Sequence, residues 1–200
     1  MPAVPELVEE LDVEPEADVD VALDPDVPVP EWGLSDIGAG RARRAFAQPW
    51  ARQIRQIVSS TEKKALETAR ILAASGGLEI ESFANMHEND RSATGFLPPE
   101  KFEQAADWFF SHPQESFRGW ETAVDAQRRI VEAVTAVLAK HDPTQPIAFV
   151  GHGAVGTLLK SQLQGTAISR YGDQPSGGGN LFRFNLADMR VTCDWTPIET

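Results

Sequence analysis

Histidine is missing from residues 1–86, and lysine and arginine are missing from residues 1–40. Cysteine occurs once, as Cys193. One cysteine forms no intrachain disulfide, which sets aside a disulfide-built secreted scaffold and makes a reducing cytoplasm the default. No apolar run approaches about 18 residues, so no membrane-spanning helix is expected. The first residues hold neither a basic stretch nor an apolar core, so they do not read as a signal peptide. A basic face is missing too, and with it the electrostatic footprint of a nucleic-acid binder. Gly-x-Ser-x-Gly, the turn that presents a serine nucleophile, does not occur.

The acids are abundant but unevenly placed. The formal charge is −12, yet twelve acids fall within residues 1–40, and the other eighteen are matched by all eighteen Lys and Arg. The acidity therefore belongs to the N-terminal segment, and residues 41–200 are neutral. Two hundred residues, 42% of them hydrophobic, suit one domain with a tail. The tail is expected over residues 1–30, where six prolines and like-charge repulsion argue for a largely disordered acidic segment. Val19 to Leu23 alternates as a strand would. The domain is expected over 31–200.

Strands alternate with helices through that domain. Asp36 to Ala47 reads as a helix capped by Ser35 or Asp36. Gln56 to Ser60 reads as a strand, followed by a helix over about 62–74, with Ser59 and Glu62 as a capping box. Leu78 to Phe83 reads as another strand. Residues 86–95, Met-His-Glu-Asn-Asp-Arg-Ser-Ala-Thr-Gly, form a loop dense in reactive groups. Helices follow over 100–110 and about 121–140, and Leu181 to Leu186 and Arg190 to Trp195 close the chain as short strands. The alternation predicts a three-layer α/β/α sandwich with a mostly parallel central sheet.

The centre of the pattern is Ile147-Ala-Phe-Val-Gly-His-Gly-Ala-Val-Gly156. Its apolar run is that of a central parallel strand, and helical spacing begins after the glycine turn. Ligands sit at such strand ends, and a helix N-terminus there offers free N–H groups to an anion. The turn also fits the dinucleotide fingerprint Gly-x-Gly-x-x-Gly. That reading fails, because residues 161–176 hold no strand ending in an acid and too little chain remains for a nucleotide domain. A metal is no better supported: the four histidines show no ligand spacing, and His87-Glu88-x-Asp90 alone is weak. His152 acting on a phosphate is a further reading, beside that of a histidine that only fills the turn. Lys63, Lys64 and Arg91 supply cations, Glu88 or Asp90 an acid, and His87 or His112 a partner.

Five segments resemble, in order, motifs of the histidine phosphatase superfamily, the phosphoglycerate mutase-like proteins. Trp32-Gly-Leu-Ser-Asp-Ile-Gly38 resembles the start of its first helix. Ser59-Ser-Thr-Glu-Lys-Lys-Ala-Leu-Glu-Thr-Ala69 resembles its Ser-x-x-x-Arg-Ala-x-x-Thr-Ala motif. His87-Glu88 followed by Gly95 resembles the stretch with the acidic proton donor. Gly119-Trp-Glu-Thr122, with Asp125 and Arg129, resembles the Gly-Glu-Ser start of the long helix. Phe149-Val-Gly-His-Gly153 resembles the strand bearing the second histidine. The resemblance covers residues 32–187. It implies hydrolysis of a small phosphorylated molecule, or phosphoryl transfer, with no metal or cofactor. His152 would be the second histidine and Glu88 the proton donor. Lys64 would stand at the second arginine's position, and Gly153, Ala154 and Arg91 would help bind the phosphate. Phe96, Phe117 and Trp120 are expected to line the pocket mouth. Nothing in the sequence speaks to oligomeric state.

The chain departs from the family at two points. Its Arg-His-Gly motif, whose histidine becomes phosphorylated, has no counterpart here; residues 17–23, Ala-Asp-Val-Asp-Val-Ala-Leu, stand in its place. Aspartates there repel phosphate. Lys64 in place of arginine also replaces a bidentate fork with a point charge. Two readings follow. Either the chain is a phosphatase whose N-terminus is altered, by a misplaced start or a frameshift, or it is a pseudoenzyme that binds phosphate or a protein partner on the same fold.

Overall fold

The computed structural model describes residues 20–45, 47–74 and 76–200. Residues 1–19, most of the expected acidic tail, lie outside the described residues. So does Val19, the first residue of the expected short strand; Val21 forms an isolated antiparallel bridge to Leu34.

In chain order the elements are α1 (Asp36–Ala45), α2 (Pro49–Gln53), β1 (Gln56–Ser60), α3 (Lys63–Ala73), β2 (Ile80–Phe83), α4 (Pro99–Ser111), α5 (Ala123–Leu138), β3 (Ile147–Val150), α6 (Gly153–Gln164), β4 (Asn180–Phe184) and β5 (Val191–Pro197). The first three strands form one parallel sheet in the order β2-β1-β3, and β4 and β5 form a separate antiparallel pair. Ile147–Val150 was expected at the centre; β1 takes that place, and β3 is an edge of the described sheet. Its run is apolar because both of its faces are covered by helices, the condition that also marks a central strand.

Alternation along the strands assigns the layers. Ile57, Ala148 and Val150 pack with Ala69 and Ala73 of α3 and with Trp50 of α2. Val58, Ile147 and Phe149 turn to the other face, against residues of α4, α5 and α6. Successive side chains of a strand point to opposite faces, so one short apolar run joins two cores. The sheet is thus flanked by helices on both sides, as the alternation of elements predicted.

Two aromatic positions differ from expectation. Phe117 and Trp120 are buried in the larger core with Trp108 and Phe109, not at a pocket mouth. The turn at Arg118-Gly119 folds both rings inward, and the Trp120 indole N–H donates to Thr94 Oγ1 at 2.8 Å. Phe96 packs edge-on against Trp32.

Candidate functional site

Three strand and turn ends converge beyond the sheet. β1 ends at Ser60, whose Oγ accepts from the Glu62 N–H at 3.2 Å. Ser59 does not cap α3, and the Glu62 side chain caps nothing. Glu62 turns inward instead, which dissolves the expected capping box. The reason is electrostatic: its carboxylate meets Lys64 Nζ and accepts the Glu88 N–H at 2.8 Å. Lys64 also reaches the Val29 carbonyl at 3.4 Å.

β3 delivers His152 as the residue preceding α6, on extended backbone. Its side chain is 2% exposed, and Nε2 lies 3.7 Å from Glu62 Oε1. That is too long for a hydrogen bond, and Nε2 is a buried atom without a hydrogen-bond partner among the described residues. Burial holds the imidazole below its ordinary value, against the pull of Glu62 and Glu88 toward protonation. Burial also pushes Glu62 toward the neutral acid, but the charges of His152 and Lys64 and the hydrogen bonds from Lys64 and the Glu88 N–H win, and its carboxyl lies below the usual range. Where His152 is neutral, Lys64 remains as the cation beside the Glu62 carboxylate.

The loop after β2 supplies the rest. The Glu88 carboxylate accepts the N–H groups of Ala154 at 3.2 Å and Val155 at 3.1 Å, at the positive end of α6. The Ala154 donor expected to bind phosphate is therefore engaged by Glu88. Gly153 stands under the Gln174 side-chain amide; a Cβ added at Gly153 would come within 2.1 Å of it. Arg91 is stacked over Phe102, 4.7 Å from the ring centroid, and over Trp32 at 5.7 Å. Burial lowers the guanidinium's pKa, with Glu88 and Glu62 opposing. The His87 Nδ1 lies 2.5 Å from the Glu88 carbonyl. His112 instead ends α4, stacked on Trp108, and His141 joins Gln56 to the Gln145 carbonyl.

So His152, Glu88 and Lys64 come together, and Arg91 faces the two carboxylates. The sequence reading missed three residues. Glu62 was read as a cap, since one glutamate two residues before a lysine carries no other signal. Gln174 lies in a loop without periodicity. Arg129 was placed in a motif but given no task. Its guanidinium grips Glu121 at 2.7 and 2.9 Å and donates to the carbonyls of Asn85, His87 and Glu88. It fixes the backbone that carries Glu88.

Chemically, the cluster places a neutral buried imidazole, an ammonium and a guanidinium beside two carboxylates at a helix N-terminus. Such groups can hold a tetrahedral anion and move protons at its oxygens. Among the described residues no three His, Cys, Asp or Glu side chains are placed to hold a metal ion. None of their helices is long and apolar enough to cross a membrane.

Known structures share this arrangement of elements. The mycobacterial glucosyl-3-phosphoglycerate phosphatase in complex with inorganic phosphate is 20% identical, with a TM-score of 0.68 over 85% of this chain and 90% of that one. YhfR of Bacillus stearothermophilus is 21% identical, with a TM-score of 0.68 over 83% and 85%. Phosphoserine phosphatase of Entamoeba histolytica, solved with 3-phosphoglyceric acid, is 18% identical, with a TM-score of 0.68 over 86% and 89%. No curated protein matches the sequence. The family match runs from residue 24 to residue 194, through every element that builds the His152 cluster, and it makes this chain a member of the histidine phosphatase superfamily, branch 1.

Proposed function

We propose that the protein hydrolyses, or transfers the phosphoryl group of, a small phosphomonoester in a reducing cytoplasm. Water, or an acceptor hydroxyl in the transfer, attacks the phosphorus in the pocket that holds His152, and Glu88 in its protonated form gives the proton to the leaving oxygen. Lys64, Arg91, Gly153 and Ala154 bind the phosphate. The observation that carries the reading is the buried His152 Nε2, unpartnered and set beside Lys64 and two carboxylates at the start of α6. An imidazole buried without a partner is costly unless something else is to bind it. The Glu88 carboxylate must swing off the Ala154 N–H for the phosphate to use that donor. The solved relatives that hold inorganic phosphate or 3-phosphoglyceric acid support a small phosphorylated ligand.

Binding without turnover is the second reading. The absence of histidine from residues 1–86 favours it, because the described site then holds no second imidazole from the N-terminal side to take the phosphoryl group. One experiment separates the two: p-nitrophenyl phosphate turnover of the full chain beside His152→Ala. Turnover that is lost in the variant supports catalysis. No turnover, with a phosphate-dependent rise in melting temperature that the variant lacks, supports binding. Equal behaviour of both proteins in both assays sinks the site.

A further inference from the structure

Glu62 is the hub of the cluster. Its Oε2 meets Lys64 Nζ, and its Oε1 accepts the Glu88 N–H and faces His152 Nε2. The side chain is 6% exposed and tied on both oxygens, so it does not swing clear. The groups around it are Lys64 on α3, His152 at the start of α6, and Glu88 and Arg91 in the loop after β2. His87 lies near His152. Lys64, Arg91 and His152 are the groups that would attract an anion. Any anion reaching Lys64 and His152 therefore also meets a fixed carboxylate.

We infer that Glu62 is a specificity-determining residue: its carboxylate makes the site take a phosphoryl group that still carries one proton and reject a fully ionised tetrahedral anion such as sulfate. This rests on the reading of the His152 cluster as a phosphate pocket. Two bare anions side by side in a dry site repel strongly. One P–OH turns that repulsion into a short O–H···O⁻ bond, with Glu62 as acceptor and the ligand as donor. A phosphate monoester loses its second proton near a pKa of about 6, so the protonated form is within reach at neutral pH. Sulfate has no proton to give in that range.

The test is calorimetric titration of the full chain with inorganic phosphate and with sulfate at about pH 8, where both are dianions and only phosphate still carries a P–OH. Wild-type protein is expected to bind phosphate at least about tenfold more tightly than sulfate, the worth of one charge-assisted hydrogen bond. Glu62→Gln keeps the shape and the acceptor for the Glu88 N–H, and should hold the two anions within about threefold, with sulfate gaining. Should that variant not fold, the wild-type preference for phosphate over sulfate decides alone. The inference is overturned if phosphate binds, and His152→Ala abolishes it, yet sulfate binds as well or Glu62→Gln keeps the preference. Phosphate binding that is absent, or indifferent to His152→Ala, instead brings down the pocket, and the inference with it.

Discussion

His152 illustrates how one burial event sets both reactivity and stability. Inside the protein its charged form is disfavoured, so its folded pKa lies below the ordinary 6.5. Between the folded value and 6.5 the unfolded chain binds a proton that the folded chain does not. Stability therefore falls as pH drops below 6.5, and the loss continues down to the folded value. Glu62 and Asp90 work in a different window. Their carboxyls are depressed, Asp90 chiefly by hydrogen bonds from Ser92, so their stabilisation persists until more acid pH and fails there. Urea midpoints measured at about pH 7.5 and about pH 5.5 should separate in the wild type and draw together in His152→Asn. A wild-type midpoint that rises on acidification would contradict the buried neutral imidazole.

Among elements, the start of α5 governs the loop that carries Glu88. Thr122 caps α5 by accepting the Asp125 N–H, and the Thr122 hydroxyl donates to the Asp125 carboxylate. That cap fixes the register of Glu121, which holds Arg129, which holds residues 85–88. Arg129→Ala takes the guanidinium away from the half-buried Glu121 carboxylate and from three carbonyls. A stability loss of about 2–3 kcal/mol is expected in chemical denaturation. The amide signals of Ala154 and Val155 should move with it, because their acceptor is Glu88. Unmoved signals would show that α5 merely props the fold. The aromatic cluster beneath the loop makes a separate contribution: Phe117→Ala should cost about 3–5 kcal/mol, since Phe117 is fully buried. Its effect on those two amides should be smaller than that of Arg129→Ala.

Across the molecule, Arg41 fastens distant parts of the chain together. From α1 it pairs with Asp20 and Glu199 and donates to the carbonyls of Gly178 and Gly179. Gly38, one turn earlier, lies so close to the Asp20 carbonyl that an added Cβ would sit 2.1 Å from it. Residues 20–31 and the C-terminal hairpin thus share one anchor on α1. Arg41→Ala should lower stability by about 2–4 kcal/mol, and hydrogen exchange should rise first in β4 and β5 and near Asp20. Gly38→Ala should cost about 1–3 kcal/mol through the same contact. Periodicity sufficed to predict β1, β3, α3, α4 and α5 to within a few residues, because apolar spacing is a local property of the chain. The glycine turn singled out His152, the loop over 86–95 offered Glu88 and Arg91, and the motif resemblance over 59–69 marked Lys64 as a candidate. Only the tertiary structure decided that β1 and not β3 is central, that Phe117 and Trp120 are core, and that Glu62 faces His152. Those are matters of which segments meet across long stretches of chain, and burial then sets the direction of each charge.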